Sequence, residues 1–222
     1  MSEPGSNGRS LSLGLTLRVV VTVAALGLWF WTQSLIGSRV RAAGIGDALH
    51  NLFAGLNLYF WQHATAANAL LIVSSAFIDI LGLFLVAEWI FLGRSRAFLG
   101  LVLLLGLRQV MQALCTLPVP PNMIWRYPGF PSLFVTYSVG NDYFFSGHTA
   151  IAVFGAMELA RLRRPWLTAL ALVVVLFEVA TVLILRAHYT MDVFTGAVTG
   201  LWVAALCDKM APRIDRLVPS IR

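Results

Sequence analysis

Long apolar segments separated by short basic gaps occupy most of this 222-residue chain. Each is about 17 to 27 residues long, and an α-helix of about 20 residues crosses a hydrocarbon core about 30 Å thick. With 59% hydrophobic and 12% charged residues, the chain has more apolar surface than a soluble fold buries. We therefore expect an all-α, polytopic membrane protein with six transmembrane helices in a bundle, spanning about residues 17–36, 66–92, 97–117, 144–160, 166–185 and 190–207.

The segments outside these spans define the expected domain organisation. Residues 1–14 are expected to form a disordered cytoplasmic tail, residues 15–208 a six-span catalytic membrane domain, and residues 209–222 a basic cytoplasmic tail. The first span has a cleaved signal peptide as its alternative. The stretch from Gly37 to His63 has a helical spacing of apolar residues typical of an interfacial helix. Its two histidines, His50 and His63, are expected at the surface or the interface.

Basic residues are distributed unequally between the two expected faces of the membrane. Six spans place both termini on one side, and that side collects eleven basic residues against four on the other. The positive-inside rule then makes both termini cytoplasmic and places His148 and His188 at the outer face. Because the basic residues lie in gaps between spans, the net charge of +6 does not indicate nucleic-acid binding. The expected location is a bacterial inner membrane with the site facing the periplasm.

Asp79, Arg108 and Glu178 are charged residues in the interior of expected spans. Asp79 and Arg108 are equally far from the turn that joins spans two and three, so we expect them to face each other or a common polar cavity. Glu178, in span five, either extends a functional site or makes a polar contact between spans.

Two short segments carry most of the chemistry. His188 and Asp192 are four residues apart at the start of span six, so the carboxylate can accept a hydrogen bond from the imidazole and leave the other ring nitrogen as a nucleophile or base. His148 begins span four at the same face. Two helix N-termini at one place favour an anion such as phosphate. The alternative is a pair of interfacial histidines, with Asp192 as a helix-start charge.

Neither a metal nor another cofactor is expected. No Cys/His spacing suits zinc, and no cluster of carboxylates suggests another metal. Cys115 and Cys207 fall near opposite ends of their spans, which disfavours a disulfide between them.

The motifs carry a family resemblance. Ser146-Gly-His148 followed by His188-x3-Asp192 resembles the type-2 phosphatidic acid phosphatase superfamily. The longer segments Asp142-Tyr-Phe-Phe-Ser-Gly-His-Thr149 and His188-Tyr-Thr-Met-Asp-Val193 resemble the signature motifs of sphingomyelin synthases, as does Arg108 followed by Thr116-Leu-Pro-Val-Pro120. The resemblance implies that His188 attacks phosphorus and forms a phosphohistidine, with Asp192 orienting it. His148 would protonate the departing lipid alcohol and later deprotonate the incoming hydroxyl.

The resemblance also implies a substrate pocket and shows where this chain departs from the superfamily. Asp142, Ser146, Gly147 and Arg108 would support the pocket. The Lys-x6-Arg-Pro motif is absent, Phe145 precedes Ser146, and Val182 stands at an arginine position. A phosphomonoester dianion needs several cations, whereas a diester needs fewer, so these departures favour a diester substrate. Arg126 and Arg186 are the cations that could compensate.

We therefore expect a phospholipid head-group phosphotransferase. It would move a phosphoalcohol from a glycerophospholipid in the membrane to ceramide or another lipid alcohol. One alternative is a lipid phosphatase or phospholipase C-like hydrolase, in which water is the acceptor at the same site. Another is a non-catalytic transporter or scaffold. The expected partners are the lipid donor and acceptor, with no nucleic acid and no metal, and a homo-oligomer is left open.

Overall fold

The computed structural model describes residues 20–24, 26–28, 30–32, 34–35, 44–137 and 143–217. The chain divides into two units, Met1–Gly46 and Asp47–Arg222. In the first unit, an apolar helical segment runs over Val20–Thr32, inside the expected first span. The expected tail at residues 1–14 lies outside the described residues, as do the last residues of the expected tail at 209–222.

The regular structure of the second unit is all helical, and its described residues contain no strand. Its helices are α1 (Ala48–Leu52), α2 (Ala54–Gln62), α3 (Ala64–Leu92), α4 (Ser95–Leu114), α5 (Gly147–Ala160), α6 (Pro165–Ile184) and α7 (Thr190–Leu217).

Within the described residues, four helices are long and apolar enough to cross a membrane, namely α3, α4, α6 and α7. The all-helical class is thereby confirmed, whereas six spans are not shown. Helix α5 has only 14 residues, a length of about 21 Å. It begins three residues later than the expected fourth span because Ser146 caps its N-terminus, the Ser146 hydroxyl accepting the Thr149 N–H.

Helix α5 packs closely against α7 through two glycines of α7. A Cβ atom on Gly196 would lie 2.5 Å from the Ser146 carbonyl oxygen, and one on Gly200 would lie 3.0 Å from that of Ala150. Small residues spaced by four let two helix backbones approach in this way. The Ser146 N–H also donates to the Asp192 carbonyl oxygen at 3.1 Å. The start of α5 therefore lies directly beside the start of α7.

Charged residues gather at the opposite end of these helices. Arg96, at the start of α4, pairs with Glu158 near the end of α5 and with Asp208 of α7. Arg161 contacts the same Asp208 carboxylate at 3.0 Å. This charged end gives a reference level from which the height of other residues along the helices can be measured.

Three functional groups lie at one height above the charged end. Asp79, Arg108 and His148 are each about 13 or 14 residues, or about 20 Å along a helix, from the nearest connection at that end. The equal depth expected for Asp79 and Arg108 is therefore present, and His148 shares it. The three groups therefore share one level along the helices.

Asp79 and Arg108 do not pair as expected. Asp79 instead accepts hydrogen bonds of 2.9–3.0 Å from the Ser132 hydroxyl and from the backbone N–H groups of Leu133 and Phe134. The segment between α4 and α5 thus descends to the level of Asp79. Irregular backbone at membrane depth needs such acceptors, which explains why a carboxylate stands in the middle of α3.

The expected interfacial helix is two short helices, α1 and α2. His63 is exposed, as expected, whereas His50 is buried, with 4% of its surface exposed. The expectation for His50 was wrong because α1 packs against the turn before α7, where the His50 ring contacts the backbone of His188. Asn57 fastens α2 to the end of α6, its amide donating to the Ile184 carbonyl oxygen at 2.9 Å.

Candidate active site

His188 lies in the turn between α6 and α7 and is buried. Its Nδ1 atom is 2.7 Å from the Tyr143 carbonyl oxygen and 3.8 Å from Asp192 Oδ2. A carbonyl oxygen only accepts, so Nδ1 carries the proton and Nε2 keeps its lone pair. The expected hydrogen bond from His188 to Asp192 is therefore replaced by one to Tyr143. With the proton on Nδ1, Nε2 is the ring nitrogen left to act as a nucleophile or base.

Asp192 is fully buried and performs two structural tasks beside His188. Its Oδ2 atom accepts the Tyr189 N–H at 2.8 Å. Asp192 is the third residue of α7, and Tyr189 is the residue before the helix. A hydrogen bond between these two positions, as in a capping box, stabilises the start of a helix. The same carboxylate oxygen also lies 3.8 Å from His188 Nδ1. Both interpretations of Asp192, helix-start charge and partner of His188, therefore describe its position.

His148 is the second residue of α5 and is also buried. Its Nε2 atom has no hydrogen-bond partner within the part of the chain that the structure describes. The edge-to-face contact of its ring is with Trp125, at a centroid distance of 5.2 Å and an interplanar angle of 88°. A buried polar atom left without a partner is energetically unfavourable. His148 is thus placed to bond to a ligand.

A cavity of about 70 Å³ brings the two histidines together. The basic side chains that border it are Arg108, His148 and His188. Its aromatic wall is formed by Trp125, Phe134, Tyr137 and Tyr143. No carboxylate is among the described residues that line it, so the cavity suits an anionic group flanked by an apolar or cationic one.

Arg108 reaches the cavity from α4 and passes beneath Gly147. Its Nε atom donates to the Phe145 carbonyl oxygen at 3.1 Å. A Cβ atom on residue 147 would lie only 2.9 Å from that same Nε atom. Glycine at position 147 therefore allows the guanidinium to cross the start of α5. Arg108 and Gly147 both line the cavity, which is where sequence reasoning expected them.

Of the expected pocket residues Ser146 and Asp142, the structure describes only Ser146. Ser146 is fully buried, and its hydroxyl oxygen accepts from the N–H and the hydroxyl of Thr149 at 3.3 and 3.0 Å. It acts on the site indirectly, by starting α5 at the residue before His148, and does not line the cavity. Asp142 lies outside the described residues.

Arg126 and Arg186 lie outside the cavity lining. The Arg126 guanidinium is exposed and donates to Asn68 Oδ1 at 3.2 Å. Arg186 donates to the carbonyl oxygens of Pro121 and His50 at 2.9 and 3.0 Å. Both guanidinium groups therefore connect backbone segments around the site, and Arg108 is the arginine that the structure brings to the cavity.

Glu178 contacts a neighbouring helix and does not line the cavity. The Ser74 hydroxyl of α3 donates to its Oε2 atom at 2.6 Å. Of the two alternatives for this residue, the structure shows the polar contact between helices.

Sequence reasoning missed Asp47 and the aromatic wall. Burial raises the pKa of the Asp47 carboxyl, but hydrogen bonds from the backbone and side chain of Thr190 outweigh this and hold its pKa below the usual value. An aspartate just before a helix is a typical N-cap, so the start of α1 could have been found. The contact with Thr190, which is 143 positions away, has no signal in a single sequence.

Comparisons with known proteins identify the family. Residues 47–211 match the family described as AtPDCT1/2. Phosphatidylcholine:diacylglycerol cholinephosphotransferase 1 of Arabidopsis thaliana is 24% identical over 190 residues, covering 83% of this chain and 61% of the relative. Phosphatidylcholine:diacylglycerol cholinephosphotransferase 2 of the same plant is 26% identical over 137 residues, covering 60% and 44%. No solved structure matches.

The chain spans less than two thirds of the length of these relatives. The sphingomyelin synthase branch suggested by the motifs stays a resemblance, since the matched family bears another description. The matched range covers well over half of the chain and includes every described residue that lines the cavity. This chain belongs to the AtPDCT1/2 family.

Proposed function

We propose that this protein is a membrane phosphotransferase that moves phosphocholine from phosphatidylcholine to diacylglycerol through a phosphohistidine at His188. The observation that carries the proposal is the shared cavity of His188, His148 and Arg108. The names of the two plant relatives, both phosphatidylcholine:diacylglycerol cholinephosphotransferases, support the choice of head group and acceptor.

The first half-reaction forms the covalent intermediate. The lone pair of His188 Nε2 attacks phosphorus, a P–N bond forms, and the P–O bond to the diacylglycerol oxygen breaks. His148 donates its proton to that departing oxygen, so the lipid leaves as a neutral alcohol. The Tyr143 carbonyl oxygen holds the proton on Nδ1, 2.7 Å away, and the Asp192 carboxylate stabilises the positive charge that the ring acquires.

The second half-reaction reverses these roles. His148, now neutral, takes the proton from the hydroxyl of an incoming diacylglycerol. The resulting oxygen attacks phosphorus, a new P–O bond forms, and the P–N bond to His188 breaks. The phosphate remains a singly charged diester in both lipids, and Arg108 is the guanidinium that accompanies it. Arg108 is the one arginine among the described residues that line the cavity, and one guanidinium suits one negative charge better than the two of a monoester.

The aromatic wall favours choline as the head-group alcohol. A quaternary ammonium group carries no N–H donors and binds to the faces of aromatic rings. Four aromatic side chains line the cavity, while no described lining residue is a carboxylate that would select a primary ammonium. The phosphate would lie between the histidines and Arg108, and the trimethylammonium would lie toward these rings.

The proposed topology keeps six spans, with residues 15–208 as the catalytic membrane domain and both termini in the cytoplasm. The distribution of basic residues supports it. The site would then lie in the outer half of the membrane. In a bacterial inner membrane, it would face the periplasm. The height of His148 and Arg108, about 20 Å from the charged end, would let lipids reach the cavity from within the bilayer.

Purified protein in liposomes tests the function. The donor is phosphatidylcholine labelled in the choline group, and parallel vesicles contain diacylglycerol, ceramide or neither. The acceptor lipids have acyl chains different from those of the donor, so that each product can be distinguished from the donor. Transfer to diacylglycerol that is lost in His188→Ala supports the proposal. Transfer to ceramide alone would assign the acceptor of sphingomyelin synthases instead. Release of free phosphocholine without an acceptor would identify a hydrolase, and no turnover in any vesicle would contradict an enzymatic role.

A further inference from the structure

The Asp47 side chain connects the starts of two helices. Its Oδ1 atom caps α1, accepting the N–H groups of Leu49 and His50 at 3.0 and 3.2 Å. The same carboxylate also binds the first residue of α7: Oδ2 accepts the Thr190 N–H at 2.6 Å, and Oδ1 accepts the Thr190 hydroxyl at 2.7 Å. Only 5% of the Asp47 side chain is exposed. These bonds are therefore shielded from water, which strengthens them.

His50 adds a second contact between α1 and the turn that carries His188. The His50 ring donates from Nε2 to the carbonyl oxygen of His188 at 2.9 Å. In return, the Arg186 guanidinium donates to the His50 carbonyl oxygen at 3.0 Å. Asp47 and His50 together thus hold the backbone on both sides of the His188 side chain. We call this pair of residues the α1 clamp.

We propose that Asp47 is a positioning residue for His188, a role that rests on the proposed function. His188 is two residues before Thr190, in a turn where Arg186 has a φ of 53°. A non-glycine residue in that left-handed region is maintained by its surroundings. The α1 clamp supplies that support from a segment that contributes no residue to the cavity lining. A misplacement of the order of 1 Å at an attacking atom can reduce a rate about a hundredfold.

The chain contains a matched control for this arrangement. Asp215, near the end of α7, accepts the N–H of Ser95 at 3.1 Å. Ser95 is the first residue of α4, so Asp215 also supports the start of a distant helix, but at the charged end. The variants Asp47→Ala and Asp215→Ala both remove a carboxylate that accepts the first backbone N–H of a distant helix, but Asp47→Ala removes four hydrogen bonds and Asp215→Ala removes one. Only Asp47 lies beside the turn of His188.

Kinetics and thermal unfolding of the full chain in lipid nanodiscs test the proposal. For Asp47→Ala we expect kcat for phosphocholine transfer to fall about tenfold or more while KM changes by less than about twofold. Asp215→Ala should retain kcat, because its hydrogen bond lies at the charged end, far from His188. Asp47→Asn, which keeps one acceptor oxygen, should recover part of kcat. Equal kcat values for Asp47→Ala and Asp215→Ala would overturn the proposal.

A second measurement does not depend on turnover. The chain has four histidines, so selective nitrogen-15 labelling of histidine gives few signals, which single substitutions assign. Thr190→Val removes only the hydroxyl contact and should shift the His188 ring signals while leaving those of His63 unchanged. Unchanged His188 signals in both Thr190→Val and Asp47→Asn would refute the α1 clamp. If the His188 signals shift in these variants but the wild-type protein has no transferase activity, the α1 clamp stands and only the proposed function is refuted.

Discussion

The carbonyl oxygen of Tyr143 accepts the Nδ1 proton of His188 at 2.7 Å, while the Asp192 carboxylate remains 3.8 Å from the same nitrogen. Orientation and charge compensation of His188 are thereby divided between two residues. The backbone fixes which ring nitrogen is protonated, and this task cannot be removed by a side-chain substitution. Asp192 contributes its negative charge together with its bond to the start of α7.

Asp192→Asn separates these contributions. The amide oxygen can still accept the Tyr189 N–H, so the free energy of unfolding should change by less than about 1 kcal/mol. Loss of the negative charge beside the ring should reduce kcat about ten- to a hundredfold, because the imidazolium formed during phosphoryl transfer is less stabilised. Steady-state kinetics alongside unfolding curves measure both. A kcat equal to that of the wild type would show that Asp192 serves only the helix.

Gly147→Ala tests the position of Arg108. The new Cβ atom would meet the Arg108 Nε atom at 2.9 Å, so the guanidinium must move away from the start of α5. We expect kcat/KM for phosphatidylcholine to fall at least about tenfold. Gly106→Ala is the control, because it lies on the same helix as Arg108 with nothing within 4 Å of the added atom. Equal kcat/KM values for the two variants would contradict a role for Arg108 at the phosphate.

Tyr137 tests the recognition of choline by the aromatic wall. Tyr137→Phe and Tyr137→Leu both remove the hydroxyl, which bonds to Ser75, but only the second removes the ring. An aromatic contact with a cation contributes about 0.5–2 kcal/mol, so we expect KM for phosphatidylcholine to be several-fold higher in the leucine variant than in the phenylalanine variant. Phosphatidylethanolamine as a competing donor measures selectivity. The same donor preference in both variants would argue against a choline-binding ring at this position.

Substitution of Asp79 tests whether its hydrogen bonds hold the segment between α4 and α5 in place. Asp79→Ala leaves the N–H groups of Leu133 and Phe134 without their acceptor, whereas Ser132→Ala removes a hydroxyl that donates to Asp79 and accepts the Val135 N–H. An unsatisfied buried group costs about 1–3 kcal/mol, so Asp79→Ala, which leaves one more N–H without an acceptor, should destabilise the protein by about 1 kcal/mol more than Ser132→Ala does. Unfolding in detergent mixtures measures the difference. Equal stabilities would mean that the segment is held by other contacts.

Hydropathy predicted the helices well because crossing a membrane is a local property of about 20 residues. The motif residues His148 and His188 were likewise predicted to meet, since both begin helices of the same direction. Sequence could not reveal that Tyr143 binds His188, that Asp79 binds a descending segment, or that His50 is buried. Each of these depends on contacts between positions far apart in the chain, for which hydrophobic periodicity carries no information.

The length of α5 shows a second limit of hydropathy. The apolar composition of residues 144–160 predicted a span, but the Ser146 cap starts the helix at Gly147. The cap places His148 in the first turn of α5, about 20 Å from the charged end. Hydropathy alone does not reveal such a cap, because it averages over many residues.

Covalent labelling of His188 tests the central claim most directly. Wild-type protein in liposomes is incubated with phosphatidylcholine labelled at phosphorus, without an acceptor, and the denatured protein is digested and analysed by mass spectrometry. We predict phosphocholine on the peptide containing His188, its removal when diacylglycerol is added before denaturation, and no such label in His188→Ala. A wild-type protein that transfers phosphocholine with no label on His188 would contradict the phosphohistidine mechanism.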